Sequence, residues 1–294
     1  MSTPRRWKRT LGIALGVVVT LVLALAGTVQ ARFAMEAGKV YPAPAVAIAD
    51  AMATADVALG RRIYEVRSGC IDCHGQDGAG KAIMEDPAMG SIHGANITPS
   101  ALREWSDEEV ARVIRYGIRR DGHTVKGMPA FDYEGMSKGD VAALVAYLRS
   151  MPPVDRPSHA NSIGPVLKVL AVLGKAPFAL AAKYIDPSKG FADKPPEGAT
   201  VAFGQYLAGA CTGCHGAEFR GGPIPGGAPD WPPAANARLG ANPAYSEASF
   251  KAMLKTGVSP ATGQKLRQPM PVHLLAQLDE TEQTALWLYL SSLK

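Results

Sequence analysis

The chain has 294 residues, of which 47% are hydrophobic and 19% charged, and its mean hydropathy is 0.00. The length predicts two domains, the composition excludes a wholly disordered chain, and the mean hydropathy excludes a polytopic membrane protein but not a single anchor. Arg5, Arg6, Lys8 and Arg9 contribute most of the net charge of +5, so the basic balance does not indicate nucleic-acid binding.

A basic cluster and an apolar segment open the chain. The cluster RRWKR ends at Arg9, and residues 11–29 carry no charged side chain. A signal peptide cleaved after Ala31 has this order, but the uncharged length also meets the minimum of about 17 residues for a transmembrane helix, with Trp7 at the interface. We expect residues 1–31 to be either signal peptide or anchor. The remaining chain then lies in the bacterial periplasm, held at the inner membrane in the second case.

A helix and a cysteine motif follow the leader. The residues VALGRRIYEVRS have a helical apolar pattern and end just before the motif CIDCH of Cys70, Cys73 and His74. CxxCH indicates attachment of a c-type haem, since two thiols at this spacing reach both vinyl groups of one porphyrin. We expect Cys70 and Cys73 to bind haem covalently and His74 to be its proximal iron ligand. Gly75 follows, where a residue without a side chain allows close backbone approach.

Long loops and two further helices complete the first half. Ser106 and Glu109 are typical of a capping box, with Trp105 as the staple residue before it, and Ser137 and Asp140 form a weaker signal of the same kind. No run of alternating β-branched residues predicts a sheet. Few helices among long loops indicate that a large cofactor fills the core.

A methionine followed by proline is the expected sixth ligand. Methionine opposite histidine raises the potential of a haem iron and closes its coordination, which suits an electron carrier. In the first half Met128 is followed by Pro129, and we expect Met128 to bind the iron rather than to pack on the haem edge. The rival methionines of this half are Met84, Met89 and Met136.

The linker that follows is apolar in its middle. Lys168, Lys175 and Lys183 lie near one helical stripe within residues 163–185, which Pro177 interrupts. One interpretation is a connecting segment packed across both domains. The other is a surface that faces a membrane or a partner protein.

The second half repeats the landmarks of the first. Cys211, Cys214 and His215 form a second CxxCH motif, and Met270 is again followed by proline. The first cysteine and the methionine are 58 residues apart in one half and 59 in the other. We expect Cys211 and Cys214 to bind a second haem covalently. We expect His215 and Met270 to be the axial ligands of its iron, and Met253 to belong to the core.

The matched landmarks predict two copies of one domain. Asp279 and Glu282 signal the start of a closing helix that corresponds to the one at the end of the first half. We expect an all-α fold of two tandem, loop-rich helical haem domains behind an N-terminal hydrophobic helix. The predicted segments are a signal peptide or anchor at 1–31, a first domain at 50–152, a linker at 153–197 and a second domain at 198–294.

Two other uses of paired cysteines fit less well. A zinc site of two CxxC pairs has about 15–20 residues between them. Here Cys73 and Cys211 are 138 residues apart. A thioredoxin-type pair requires a βαβ setting, which the pattern does not predict.

Other residues around the haems are assigned more simply. Each proximal imidazole needs a carbonyl to orient it, for which Pro87 and Pro223 are the candidates. The remaining histidines are expected to be surface residues: His93, His123, His159 and His273.

These motifs resemble those of tandem class I c-type cytochromes, especially the cytochrome c subunits of bacterial membrane-bound alcohol and sugar-acid dehydrogenases. The resemblance rests on CxxCHG, on NITP and WSDEE within residues 96–109, on Gly122 before the first Met-Pro, and on YL and PP within residues 147–153. It implies the axial pairs His74 with Met128 and His215 with Met270, and periplasmic electron transfer. Two haem motifs rather than three, and an N-terminal rather than a C-terminal apolar segment, leave the redox partner open.

The sequence therefore predicts an electron-transfer protein with two covalent haem c groups and no catalytic residue. We expect it to carry single electrons from a donor dehydrogenase or quinol-oxidising complex to an acceptor cytochrome or oxidase, with membrane contact through the N-terminal helix. The alternative is a di-haem enzyme of the peroxidase or thiosulfate-oxidising type, against which the two Met-Pro pairs argue. A redox or gas sensor would carry an output domain.

Overall fold

A long helix precedes the rest of the molecule and is mostly uncovered by it. The computed structural model describes residues 4–228 and 230–294, and helix α1 runs over Pro4–Ala37. The most apolar 18-residue window of the segment Trp7–Ala37 has a mean hydropathy of 2.4 and is not buried by the remaining chain. This helix is therefore long and apolar enough to cross a membrane, as the sequence predicts.

The first domain consists of short helices joined by long loops. Its first longer helix is capped by Asp56, whose carboxylate accepts the backbone N–H groups of Ala58 and Leu59 at 2.8 and 3.2 Å. The helical elements are α2 (Ala49–Met52), α3 (Val57–Arg62), a π-helical turn (Ile63–Arg67), α4 (Ile71–His74), α5 (Asp107–Tyr116), a 3-10 turn (Ala130–Tyr133) and α6 (Lys138–Ser150).

The predicted capping signals start two of these helices. At α5, the hydroxyl of Ser106 accepts the N–H of Glu109 at 3.2 Å, and the Glu109 carboxylate accepts the N–H of Ser106 at 2.9 Å. Ser137 caps α6 by accepting the N–H of Asp140 at 3.1 Å. Asp140 does not complete the box, because its carboxylate accepts hydrogen bonds from Lys194 and Tyr206 instead.

A small antiparallel sheet corrects the expectation that no strand is present. Its strands have five residues at most, and β1 is largely exposed, so they show no alternation of apolar residues. Asp86 makes the hairpin turn by accepting the N–H groups of Ala88 and Met89, each at 2.8 Å. The strands lie in the order β1 (Ala82–Asp86), β2 (Gly90–His93) and β3 (Ser162–Ile163).

The linker packs against both domains. Helix α7 (Pro165–Val172) and a 3-10 segment (Pro177–Tyr184) bury Leu167 and Leu180 in a third core, which also contains Phe33 of α1. A Cβ atom added at Gly226 of the second domain would lie 2.4 Å from Cε1 of Phe178. The apolar middle of the linker therefore behaves as a connecting segment packed across the two domains.

The second domain repeats the helical plan of the first. Asp279 and Glu282 form the predicted capping box of the closing helix, with the Asp279 carboxylate accepting the N–H of Glu282 at 2.9 Å. The elements are α8 (Val201–Ala208), a 3-10 turn (Gly209–Cys211), α9 (Thr212–His215), a 3-10 turn (Leu239–Ala241), α10 (Glu247–Thr256), α11 (Val272–Leu275) and α12 (Glu280–Ser292).

The same close helix crossing organises both domains. A Cβ added at Gly60 of α3 would lie 1.9 Å from the carbonyl oxygen of Ala143 on α6. In the second domain, a Cβ added at Gly204 of α8 would lie 1.9 Å from the carbonyl oxygen of Ala285 on α12. Only glycine lets the two backbones approach this closely, so the repeat extends to tertiary packing.

A cluster of ion pairs joins the domains. Nε of Arg67 donates to Oε1 of Glu282 at 2.6 Å, and Arg62 donates to the same carboxylate from the preceding turn. Arg67 also binds Glu197 through two hydrogen bonds of 2.9 and 3.0 Å. The Arg67 and Glu282 side chains are 7% and 1% exposed. The ion pairs therefore form a buried contact that joins α12 to the last residue of α3 and to the π-helical turn that follows it.

Candidate functional site

Each CxxCH motif forms a single helical turn that ends at a glycine. In α4, the N–H of Gly75 donates to the carbonyl of Ile71 at 2.9 Å, and Gly75 has a φ of 79°. In α9, the N–H of Gly216 donates to Thr212 at 2.9 Å, and Gly216 has a φ of 75°. These positive φ values account for the glycine after each histidine.

A backbone carbonyl orients the histidine of each motif. Nδ1 of His74 lies 2.8 Å from the carbonyl oxygen of Ala95, and Nδ1 of His215 lies 2.8 Å from that of Ala235. A carbonyl can only accept a hydrogen bond, so Nδ1 carries the proton and the lone pair is on Nε2. Each imidazole therefore has the tautomer that an iron ligand requires.

The assignment of these carbonyls to Pro87 and Pro223 is wrong. The loop after each motif first returns to the histidine backbone, where Gly80 donates to the His74 carbonyl at 2.8 Å and Gly221 donates to the His215 carbonyl at 2.9 Å. The loop reaches the imidazole only later, 21 residues after His74 and 20 after His215. The matched glycines six positions after each histidine are the sequence signal for this return.

Burial favours the uncharged form of the four motif thiols and of the His74 imidazole. It raises the pKa of Cys70 to about 12 and the pKa of Cys211 to about 11. Burial also raises the pKa of Cys73 and Cys214, and it lowers the pKa of His74 despite the hydrogen bond to Ala95. A neutral imidazole is the form that binds iron.

The two Met-Pro loops have matching backbone structure. The carbonyl of Met128 accepts the N–H of Ala130 at 2.9 Å, and the carbonyl of Met270 accepts the N–H of Val272 at 2.9 Å. Both methionines are partly buried. Neither belongs to a hydrophobic core cluster of the described residues, whereas the rivals Met136, Met253, Met84 and Met89 all pack in or against one.

A buried arginine that the sequence reasoning missed holds the first Met-Pro loop. The guanidinium of Arg115 on α5 donates to the carbonyls of Glu134 and Met136 at 2.9 and 3.1 Å, just after this loop. It also donates to Lys189 and Gly190 of the linker at 3.0 and 2.8 Å. A charged residue on the apolar face of an amphipathic helix is the sequence signal for such a role.

The remaining histidines have partners of other kinds. The His93 and His159 rings stack with centroids 4.7 Å apart, and His123 lies 3.4 Å from the carboxylate of Asp121. His273 differs, because its Nε2 lies 2.8 Å from Oδ1 of Asp72, between the cysteines of the first motif.

Each CxxCH motif lies against the Met-Pro loop of the other domain. A Cβ added at Gly213, between Cys211 and Cys214, would lie 2.4 Å from Oδ1 of Asp132, four residues after Met128. A Cβ added at Gly69, before the first motif, would lie 2.8 Å from Cδ1 of Leu274, four residues after Met270. The two candidate sites therefore face each other across the domain interface.

The donor set fits haem c. In both motifs the cysteines form no disulfide and lie within one helical turn of the oriented histidine. Among residues 4–228 and 230–294, no group of three or more His, Cys, Asp or Glu side chains is placed to hold a metal ion.

Family models match both halves of the chain. Residues 55–148 match the model of cytochrome c oxidase, cbb3-type, subunit III, and residues 201–294 match the model of cytochrome c. Together these ranges contain both CxxCH motifs and both Met-Pro loops.

Several curated proteins are similar to the chain. It is 31% identical over 246 residues to a nicotinate dehydrogenase subunit of Pseudomonas putida, covering 76% of this chain and 20% of the relative. It is 32% identical over 166 residues to the cytochrome c subunit of alcohol dehydrogenase (quinone) of Gluconacetobacter polyoxogenes, covering 52% of this chain and 34% of the relative. It is 31% identical over 166 residues to the fructose dehydrogenase cytochrome subunit of Gluconobacter japonicus, covering 53% and 32%. The chain thus spans about a third or less of the length of these relatives.

Proposed function

Because this chain is a tandem c-type cytochrome with two covalently bound haem c groups, we propose that it carries single electrons in the bacterial periplasm from a dehydrogenase or quinol-oxidising complex to a terminal acceptor. It is an electron-transfer component and not a catalytic enzyme. The observation that carries the proposal is the pair of CxxCH turns, each with an oriented histidine and each facing the other domain.

The proposal assigns a role to each site residue. Cys70 and Cys73 attach the first haem through thioether bonds, and Cys211 and Cys214 attach the second. The iron ligands are His74 with Met128 in the first domain and His215 with Met270 in the second. When bound, each haem iron exchanges one electron between Fe(III) and Fe(II).

The protein contributes fixed ligands and a closed environment. The carbonyls of Ala95 and Ala235 hold the imidazoles through Nδ1, so the rings do not rotate. Arg115 ties the chain after Met128 to the linker. Such anchoring favours electron transfer, because ligands that do not move on a change of charge keep the reorganisation energy small.

Helix α1 supports an uncleaved membrane anchor rather than a signal peptide. Ala31 lies inside a continuous helix, and Phe33 beyond it is 5% exposed in the third core. Lys168 of α7 donates to the side chain of Gln30 at 2.8 Å, and Lys183 lies 3.4 Å from Glu36. We propose that residues 11–29 span the inner membrane with the basic cluster in the cytoplasm.

The donor class is proposed from the relatives. Two of them are named as cytochrome subunits of alcohol dehydrogenase (quinone) and fructose dehydrogenase. A membrane-bound dehydrogenase or a quinol-oxidising complex is therefore the proposed donor, and a cytochrome or an oxidase the proposed acceptor.

Absorption spectroscopy of the purified protein tests the carrier function. We expect two haems per chain and a far-red ferric band, which marks methionine–iron coordination, with the intensity of two such haems. A band for one haem or none, or a high-spin ferric signal, contradicts a closed carrier and favours a di-haem enzyme.

Fractionation tests the anchor. We expect the protein in the membrane fraction after a high-salt wash, with a mass that includes residues 1–31 and both haems. A soluble protein whose first residue is Arg32 contradicts the anchor and leaves the electron-carrier function intact.

A further inference from the structure

A carboxylate of the first domain lies inside the cysteine motif of the second. Asp132 belongs to the 3-10 turn Ala130–Tyr133, and its Oδ1 would be 2.4 Å from a Cβ at Gly213. Any side chain at Gly213 would therefore displace Asp132. The absence of a side chain at Gly213, between Cys211 and Cys214, leaves room for this carboxylate.

The internal repeat shows that the two motifs receive their carboxylates differently. Gly213 corresponds to Asp72 of the first motif, which carries its own carboxylate, and Asp132 corresponds to Leu274 of the second domain. Each cysteine pair thus has one acidic side chain at the same position, and the first domain supplies both. The carboxylate of Asp72 has a partner, because Nε2 of His273 lies 2.8 Å from its Oδ1.

Asp132 has no such partner. Among the described residues its carboxylate makes no hydrogen bond and no ion pair, although the residue lies at a cavity of about 200 Å³ between the domains. The other charged groups at this cavity are all paired: Arg67 with Glu282, Asp140 with Lys194, and Glu134 with Lys189.

The carboxylate of Asp132 lies beside the second cysteine pair, where a Cβ at Gly213 would be 2.4 Å from its Oδ1. Burial raises the pKa of Asp132 itself to about 6, so the group is ionised at pH 8.

We propose that the negative charge of Asp132 acts across the domain interface and lowers the reduction potential of the haem held by Cys211 and Cys214. A negative charge beside the porphyrin attachment favours Fe(III), which carries one more positive charge than Fe(II). The carboxylate of Asp132 has no partner that offsets its charge, whereas the carboxylate of Asp72 has a polar partner in His273. The proposal rests on the haem attachment sites assigned above.

The expected effect is large enough to measure. A unit charge close to a buried redox centre changes a one-electron equilibrium by roughly tenfold at an effective dielectric constant of about 20. Tenfold for a one-electron couple corresponds to about 59 mV. Because the second-domain haem is then harder to reduce, an electron shared by the two haems resides more often on the haem of the first domain.

The test is a redox titration of both haems in the full-length protein at pH 8. Asp132→Asn keeps the shape of the side chain and removes its charge. We expect the second-domain haem to become easier to reduce by about tenfold, while the first-domain haem changes by less than about twofold. Asp193→Asn, which removes an exposed carboxylate of the linker, is the matched control and leaves both potentials unchanged.

A second variant keeps the test decisive if Asp132→Asn fails to fold. Asp132→Leu introduces the residue found at the equivalent position of the other domain, and the same rise is expected from it. The Met270→Ala variant identifies the second-domain haem by the loss of its far-red band. Unchanged potentials, a fall, or equal shifts of both haems in either variant would overturn the role of Asp132. Absence of any spectral change in Met270→Ala would instead contradict the assigned ligand.

Discussion

At the scale of single residues, backbone carbonyl groups hold the histidine side chains of the two sites in one tautomer and one orientation. Ala95 and Ala235 do so through carbonyl oxygens 2.8 Å from the histidine Nδ1 atoms. Their side chains play no part in this contact. A binding histidine is thus oriented by the path of the chain, and a substitution at Ala95 or Ala235 affects it only by moving the backbone.

The proposed methionine ligands, Met128 and Met270, give a prediction at this scale. We expect Met128→Ala and Met270→Ala each to remove half of the far-red ferric band, because each variant opens one iron and leaves the other closed. Met84→Ala, which changes a methionine packed against the third core, serves as the control. Loss of the whole band in one variant, or none in both, would refute the paired assignment.

Asp132 gives a second prediction, on stability and pH. Burial raises its pKa in the folded protein to about 6, above the ordinary value of 3.8. The folded state therefore binds more protons than the unfolded state between these values, and stability falls as pH rises through that interval. Since one pKa unit is about 1.4 kcal/mol, we expect Asp132→Asn to be stabilising by roughly 1–3 kcal/mol at pH 8 and by little at pH 4 in urea unfolding. Equal effects at both pH values would contradict this account.

At the scale of elements, each domain depends on one crossing between its first and last long helices. Gly60 on α3 and Gly204 on α8 are the points of closest approach. The crossing brings the helix before the CxxCH turn against the closing helix of the same domain. Packing at this point therefore positions the haem motif relative to the rest of the domain.

Substitutions at these glycines test the crossing. We expect Gly60→Ala and Gly204→Ala each to destabilise the protein by about 1–3 kcal/mol, because a Cβ would lie 1.9 Å from a carbonyl oxygen. Gly139→Ala is the matched control, since this glycine lies in α6 with no neighbour within 4 Å of an added Cβ. It should be neutral or stabilising by up to about 1 kcal/mol in the same denaturant titration.

At the scale of the whole molecule, the domains are joined at the faces that carry their haem motifs. His273 reaches Asp72 and Asp132 reaches Gly213, so each Met-Pro loop is covered by the other domain. The Arg67–Glu282 pair strengthens this arrangement from within the interface. The two candidate haem sites are therefore held in one relative position, as the proposed electron transfer between them requires.

Arg67 provides the prediction at this scale. We expect Arg67→Gln to cost about 3–5 kcal/mol at pH 7, because it leaves Glu282 with only Arg62 in a buried position. The hydrogen bonds with Arg67 lower the pKa of Glu197 to about 2. Burial alone would raise the pKa of Glu282, but hydrogen bonds from Arg62 and Arg67 lower it below its ordinary value.

Those lowered pKa values set the pH dependence of the same variant. A carboxylate with a depressed pKa stabilises the fold above its unfolded value of about 4.5, and this stability is lost as pH falls toward 2. The deficit of Arg67→Gln should therefore shrink over that interval in urea unfolding. Arg61→Gln, at an exposed pair with Glu65, should change stability by less than about 1 kcal/mol at any pH. A pH-independent deficit would argue against the ion pairs as its cause.

Features that depend on a few neighbouring residues were predictable without a structure. The helix before the first CxxCH motif, the capping boxes at Ser106 and Asp279, the long N-terminal helix and the repeat of one helical domain are of this kind. Local hydrogen bonding and apolar periodicity determine such elements, so their residue patterns are sufficient. The β1–β3 sheet was not predictable, because its strands are too short to carry a periodic signal.

Contacts between distant parts of the chain could be decided only by the tertiary fold. The carbonyls at Ala95 and Ala235 replace those expected at Pro87 and Pro223 because loop paths depend on where the chain is held, not on proline content. Likewise, no pattern within either half predicts that the carboxylate of Asp132 lies against Gly213 of the other domain. Its burial and its missing partner arise from docking of two domains, and a charge acquires its effect from the surroundings that the fold assembles.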